Sequence, residues 1–236
     1  MTPTTFALLA VITAGAAFVQ ASIGVGFALI MAPILAFAAP ELLPVALLLL
    51  MLPLNAFVCW RERHALDWFG AGWITAGRAV GTFFGFWILV AVSAATLNLL
   101  VGIATLAAAL ASLLAPAFDP NRSAFVTAGL MTGITETATG IGGPPLALVY
   151  QHHQAASLRA NVAVCFLIGE VFSVVLLAAS GRMDRWQIEA AGLLLPTLVL
   201  GALLSQIAHG RLNQRRMRLF VLGFAIVSGV VLILHR

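Results

Sequence analysis

Long apolar runs alternate with short polar segments along almost the whole chain. Most of these runs are long enough to cross a lipid bilayer, which takes about 20 residues in a helix. The clearest polar segments lie at 61–67, 119–122, 181–185 and 209–218. The pattern predicts an all-α polytopic membrane protein, with helices over about 44–60, 68–90, 94–116, 160–179, 186–208 and 219–234.

Two further apolar runs are interrupted by glycine-rich breaks. The first break reads SIGVGF at 22–27, and the second reads GIGGPP at 140–145. Lipid cannot satisfy backbone groups that leave a helix, so such a break is tolerated only inside protein or beside a watery cavity. We therefore expect both breaks to be buried, with a small solute bound between them.

The breaks stand at matching positions in two halves of about equal length. We predict two repeats, residues 1–118 and 119–236, within one integrated membrane domain. Each repeat is expected to be a broken helical hairpin followed by three transmembrane helices. The matching residues are Gln20 and Glu136, Gly24 and Gly140, and Gly26 and Gly142.

The positions of the arginines favour inverted repeats, because cytoplasmic loops of membrane proteins carry an excess of basic residues. All 12 basic residues are arginines. If each broken segment is a re-entrant hairpin, eight arginines fall in the cytoplasm and three outside. If each broken segment instead crosses the membrane once, five arginines fall in the cytoplasm and six outside. The hairpin prediction places both termini outside the cytoplasm, and the broken span remains the alternative. The predicted cytoplasmic arginines are Arg61, Arg63, Arg122, Arg159, Arg211, Arg215, Arg216 and Arg218, and the outer ones are Arg182, Arg185 and Arg236.

Half-helices that begin at the breaks could bind an anion. Their first N–H groups are free and their dipoles are positive at that end, and Pro144 suits a first helical turn. The alternative is that the glycines only allow close helix packing. The candidate binding residues are Gln20, Ser22, Gly24, Gly26, Arg78, Thr137, Thr139, Gly140, Gly142, Gly143 and Pro144.

Three charged residues, Arg78, Glu136 and Glu170, lie within apolar segments, where each is costly unless it is paired or solvated. Glu136 stands one helical turn before Gly140. Burial favours the protonated form of a carboxyl group, so we predict that Glu136 carries a coupling proton. Arg78 and Glu170 form a structural ion pair on one interpretation, and on another Arg78 is an anion ligand.

The sequences QASIGVGFALIMAPIL and ETATGIGGPPLALVYQ, a tryptophan after each second loop, and the two-half layout resemble the sulfite exporter TauE/SafE family. The resemblance implies a secondary transporter for sulfite or an organosulfonate in the bacterial inner membrane, working by alternating access, with both termini then in the periplasm. An anion channel or uniporter is the alternative. The chain has Phe27 and Pro144 where the family often has glycine. The motif residues that carry over are Gly24, Gly26, Pro33, Gly140, Gly142, Gly143 and Pro144, and we assign Pro33 and Glu170 structural or coupling roles.

Other classes of function find little support. The chain has neither HExxH nor GxSxG, so no enzyme, metal or cofactor is predicted. The net charge of +4 reflects loop orientation rather than nucleic-acid binding. The expected partners are a small anion, protons and the lipid bilayer, and a homodimer is an open alternative.

Overall fold

The computed structural model describes residues 3–114, 120–150, 153–207 and 213–234. Every regular element within these ranges is a helix. The first half contains α1 (Pro3–Ile23), α2 (Phe27–Ala38), α3 (Val45–Arg61), α4 (Trp68–Ala91) and α5 (Ala94–Leu114). The second half contains α6 (Arg122–Thr139), α7 (Gly143–Tyr150), α8 (Ala155–Ala179), α9 (Arg185–Ile207) and α10 (Gln214–Leu234).

Six of the described helices, α1, α4, α5, α8, α9 and α10, are long and apolar enough to cross a membrane. At a rise of about 1.5 Å per residue, α1 is roughly 31 Å long, whereas α2 at roughly 18 Å is too short to cross. Large apolar side chains such as Phe83, Trp87 and Phe220 are more than half exposed, as suits a surface that faces acyl chains. The prediction of an all-α polytopic membrane protein is confirmed.

The first break folds its segment into a helical hairpin. Phe27 donates its backbone N–H to the side chain of Gln20 at 3.2 Å, next to the break. Further along both helices, the hydroxyl of Thr13 lies 3.8 Å from the sulfur of Met31. Residues successively further from the break therefore face each other, so α2 runs back along α1.

The second break does the same with α6 and α7. Near the break, the Thr132 hydroxyl donates to the carbonyl of Gly142 at 3.1 Å. At the far end, the rings of Phe125 and Tyr150 lie 5.8 Å apart. Both interrupted segments are thus hairpins rather than continuous broken spans.

The helices α4 and α6 run parallel and touch through their backbones. We call the residues at this contact the glycine seam; they are Gly77, Gly81 and Gly85 of α4 and Gly129 and Gly133 of α6. A Cβ atom on any of them would stand within 3.0 Å of a carbonyl oxygen on the other helix, a distance that real Cβ atoms essentially never show. Small residues at such spacing let helices pack closely in lipid, where no hydrophobic effect drives them together.

The contacts between the halves are arranged symmetrically. The first helix of each half packs on the fourth helix of the other, giving the pairs α4 with α6 and α1 with α9. The equivalent helices α3 and α8, and likewise α5 and α10, pack against each other in antiparallel directions. The contacts that set these directions are Asn55 with Glu170, Glu62 with Arg159, Ser112 with Arg218 and Gly102 with Gly229. Antiparallel contact between equivalent helices favours inverted repeats, whose orientation in a membrane stays a prediction.

One end of the bundle collects most of the described arginines, and we call it the arginine-rich end. Arg61, the last residue of α3, joins the ends of three helices there, because it donates to Ala21 of α1 and to Ser205 of α9. The described arginines at this end are Arg61, Arg63, Arg122, Arg159, Arg215, Arg216 and Arg218. At the other end, Arg182 lies between α8 and α9, and Arg185 is the first residue of α9. Arg211 and Arg236, two arginines of the orientation prediction, lie outside the described residues.

Candidate functional site

The glycines of the breaks adopt conformations that other residues rarely take. Gly24, Gly26 and Gly140 have φ angles of +88°, +129° and +79°, in the left-handed region that glycine enters without steric cost. Gly140 ends α6 and donates its N–H to the carbonyl of Glu136 at 2.7 Å. These turns let both chains reverse inside the bundle.

The two breaks lie next to each other. The Cγ1 atom of Val25, in the first break, stands 3.8 Å from the position that a Cβ on Gly143 would occupy. Gly143 begins α7, while Gly26 immediately precedes α2. The beginnings of the two short helices therefore meet in the interior, as the sequence predicted.

A chain of buried side chains runs from the first break towards the second. Gln20 accepts the backbone N–H of Phe27 and donates to Asn55 at 3.2 Å. Asn55 in turn donates to Glu170 at 2.7 Å. Glu170 lies close enough to Glu136 for the two carboxyl groups to interact electrostatically, although no hydrogen bond joins them. We call this set, together with Arg78, the polar centre.

Arg78 closes the polar centre by forming an ion pair with Glu136. Its guanidinium also donates to the carbonyl of Cys165 at 3.0 Å and lies 5.6 Å from the centre of the Phe166 ring. The side chain crosses α8 at Gly169, where any larger residue would collide with it. Arg78 and Glu136 are 1% and 0% exposed, so their charges depend on each other.

The two halves contribute equivalent pairs to this centre. Gln20 occupies in the first half the position that Glu136 occupies in the second, and Asn55 likewise matches Glu170. An amide pair can bond directly, because the NH₂ group of Gln20 donates to the oxygen of Asn55. Two carboxylates have no donor, so a direct hydrogen bond between Glu136 and Glu170 would require a proton.

The polar centre retains buried atoms that lack a hydrogen-bond partner among the described residues. These atoms are Nε of Arg78, one oxygen of Glu136 and one oxygen of Glu170. Buried polar atoms in folded proteins are nearly always satisfied. The centre can therefore accept a proton or a small polar ligand that supplies the absent partners.

The comparison with protein families agrees with the motifs at the breaks. The family described as sulfite exporter TauE/SafE matches residues 8–232. The chain belongs to the sulfite exporter TauE/SafE family. No curated protein and no solved structure gives a significant match. The resemblance inferred from the sequence is confirmed, and the family suggests a multi-pass membrane protein that exports sulfite or sulfonates.

The predicted hydroxyl ligands of this TauE/SafE chain are engaged within or between helices. Ser22 and Thr139 donate to the carbonyls of Phe18 and Thr135, four residues earlier in their own helices. Thr137 shares a hydrogen bond of 2.9 Å with a serine of α8, Ser173. The hydroxyl protons of Ser22 and Thr139 are thus engaged by carbonyls close to the breaks, whereas either hydroxyl can be the donor in the bond between Thr137 and Ser173.

The remaining predicted residues of the TauE/SafE motifs divide between the breaks and the helices. Gly142 lies against Glu136, since a Cβ on it would stand 2.7 Å from a carboxylate oxygen. Pro33 is buried in the middle of α2, outside the polar centre. The backbone of Pro144 belongs to the first turn of α7, and its side chain lies outside the described part of the structure.

The prediction that Arg78 pairs with Glu170 is wrong, because Arg78 is bonded to Glu136 and Glu170 is bonded to Asn55. Sequence reasoning also missed Asn55 and Gly169. A signal for Asn55 was present: Glu170 follows it by 115 residues, nearly the separation between Gln20 and Glu136. Gly169 had no such signal, because its role is to leave room for the Arg78 side chain, which reaches it from α4.

Proposed function

We propose that the protein is a secondary transporter that carries sulfite or an organosulfonate together with a proton. Arg78 is the anion ligand, and Glu136 is the proton site. The observation that supports this proposal is the buried ion pair between them, beside the second break. Removing two charges from water is costly even when they pair, so ionisable residues inside membrane segments generally mark functional sites.

The coupling follows from competition for Arg78. While Glu136 is ionised, its carboxylate neutralises the guanidinium and leaves no net charge for an anion. When Glu136 takes up a proton, Arg78 is left without a counter-ion in a dry interior, and a sulfonate or sulfite oxygen replaces the carboxylate. Proton and anion therefore bind together, and for a monoanion the loaded carrier gains no net charge. Net flux follows the combined gradients of both.

Glu170 shares the proton with Glu136. The amide pair of the first half supports this role, because it shows how the same contact is made when a donor hydrogen is always present. Asn55 holds Glu170 through a hydrogen bond of 2.7 Å and keeps its carboxyl group facing Glu136. We assign this pair one proton per transported anion.

The hairpins supply the conformational change. In inverted-repeat transporters, a fixed central site is exposed to one side and then to the other as the repeats rearrange. Gln20, Arg78 and Glu136 are each at most 2% exposed, which matches a closed centre between the two open forms. The chain of hydrogen bonds from Phe27 to Glu170 links the first break to the proton site in the second half.

The test uses purified protein in liposomes with methanesulfonate, which stays a monoanion over the whole working pH range. Wild-type binding should strengthen as pH falls, because protonation of Glu136 releases Arg78. Glu136→Gln should bind the anion equally well at every pH and should lose accumulation driven by a pH gradient. The control is Glu189→Gln, which changes an exposed glutamate whose side chain is 50% accessible.

Three results would contradict the proposal. If Glu136→Gln still accumulates methanesulfonate when a pH gradient is applied, Glu136 has no part in the coupling step. Methanesulfonate binding by a folded Arg78→Met variant, at wild-type affinity, would remove Arg78 from the anion site. Failure of the wild type to accumulate the anion against its own gradient would identify a channel or uniporter instead.

A further inference from the structure

A second cavity lies at the arginine-rich end, outside the polar centre. It has a volume of about 220 Å³, and three basic residues, His153, Arg215 and Arg218, form part of its wall. Ile23 and Val25 of the first break and Ala147 of α7 also line it. His153 and Arg215 are exposed, so this wall reaches the surface of the bundle.

The charge of this cavity is positive and uncompensated. None of its lining residues is acidic, and no carboxylate among the described residues forms an ion pair with Arg215 or Arg218. Arg218 is held in place, because it donates to the carbonyl and the hydroxyl of Ser112 at 3.0 and 3.1 Å. A concave site lined by one sign of charge concentrates ions of the opposite sign.

Val25 borders both this cavity and the second break. Its side chain lines the cavity and also approaches Gly143 at the start of α7. Two residues further along the chain, Phe27 is bonded to Gln20, the first member of the polar centre. An anion moving from the cavity towards Arg78 by way of Gly143 would pass this apolar side chain.

We propose that the cavity is a vestibule that binds a small oxyanion through His153, Arg215 and Arg218, and that Val25 is the gate between it and the polar centre. The vestibule stands independently of the coupling scheme, whereas the gate rests on the proposed function. The shared chemistry of the ligand is an anionic oxygen cluster, present in free sulfite or sulfonates and in the phosphate of a lipid headgroup.

Binding is measured first on the Arg78→Met variant in detergent, so that the polar centre no longer contributes. Titration calorimetry with methanesulfonate should still detect one weak, salt-sensitive site. Adding Arg215→Gln and Arg218→Gln should abolish it, whereas adding Arg182→Gln and Arg185→Gln, at the other end of α8, should not. Absence of the weak site, or its survival in the first combination, overturns the vestibule. Because Arg78 is already replaced, neither result depends on the coupling scheme.

Transport assays then test the route in the otherwise wild-type protein. Arg215→Gln with Arg218→Gln should raise KM about tenfold at low salt with little change in kcat, as expected when electrostatic attraction is lost. An unchanged KM overturns the vestibule as an entry site. Val25→Trp should stop transport while the weak site remains, and transport at the wild-type rate overturns the gate. If nanodiscs rich in phosphatidylglycerol saturate the site and free methanesulfonate does not bind, the cavity is a lipid headgroup site and the proposal fails.

Discussion

Replacing Gly81 by alanine should push α4 and α6 apart and loosen the ion pair that they hold together. A Cβ on Gly81 would stand inside 3.0 Å of the Leu130 carbonyl oxygen and 3.1 Å from the Ile134 nitrogen. Both neighbours are backbone atoms of a helix, so neither can rotate away. The helices must separate by about 1 Å, and overpacking of this kind costs about 1–3 kcal/mol.

A matched control lies on the same helix. Gly72 of α4 has no atom within 4 Å of the position of an added Cβ. Gly72→Ala therefore makes the same chemical change without the collision, and it should gain up to about 1 kcal/mol from the better helix propensity of alanine. The difference between the two variants isolates the cost of the seam contact.

The assay is thermal unfolding in detergent, followed by tryptophan fluorescence. For a chain of this size, 1 kcal/mol corresponds to about 2–4 °C in Tm, so Gly81→Ala should unfold about 2–12 °C below wild type. Its methanesulfonate binding should also depend less on pH, because Arg78 is only one turn from Gly81. If Gly81→Ala unfolds at the same temperature as Gly72→Ala, the backbone contact at the seam does not hold these helices together.

Two further predictions concern the arginine-rich end and the first break. Glu62→Gln should destabilise the protein by up to about 3 kcal/mol, because Glu62 accepts from the buried Arg159 at 2.9 Å and its loss leaves that charge unpaired. The control Glu189→Gln, at an exposed ion pair, should change Tm little. Equal shifts in Tm would show that burial does not make the Glu62–Arg159 pair more important than the exposed one. Gly24→Ala should cost more stability than Gly181→Ala in the same unfolding assay. Both glycines have positive φ, but only Gly24 is surrounded by side chains within about 3 Å of the added Cβ, so equal losses would show that backbone strain alone matters.

The breaks could be predicted from the sequence because their signals are local. Glycine frees the backbone and proline restricts it wherever they occur. The runs at 22–27 and 140–145 interrupt otherwise continuous apolar segments. Pro144, which suits a first helical turn, directly follows Gly143, the first residue of α7. The burial of Glu136 followed in the same way from its place one turn before Gly140.

The partners of the buried charges could not be predicted, because they depend on how three helices are rotated about their axes. Arg78 meets Glu136 rather than Glu170 because the glycine seam brings α4 against α6 in a particular register. Gly169 then leaves room for the guanidinium on α8. The spacing of these residues along the sequence does not show which of their side chains face each other in the folded bundle.

The glycine seam also limits which parts of the molecule can move. Two helices whose backbones interlock cannot slide past each other, so α4 and α6 must travel as one rigid body. The close contact of Gly201 with Ala14 makes a second such body from α9 and α1. Each body joins one helix from either half of the chain, so a rocking motion would not separate residues 1–118 from residues 119–236. The moving units would instead each contain helices from both halves, and the short helices α2 and α7 belong to neither of these two bodies.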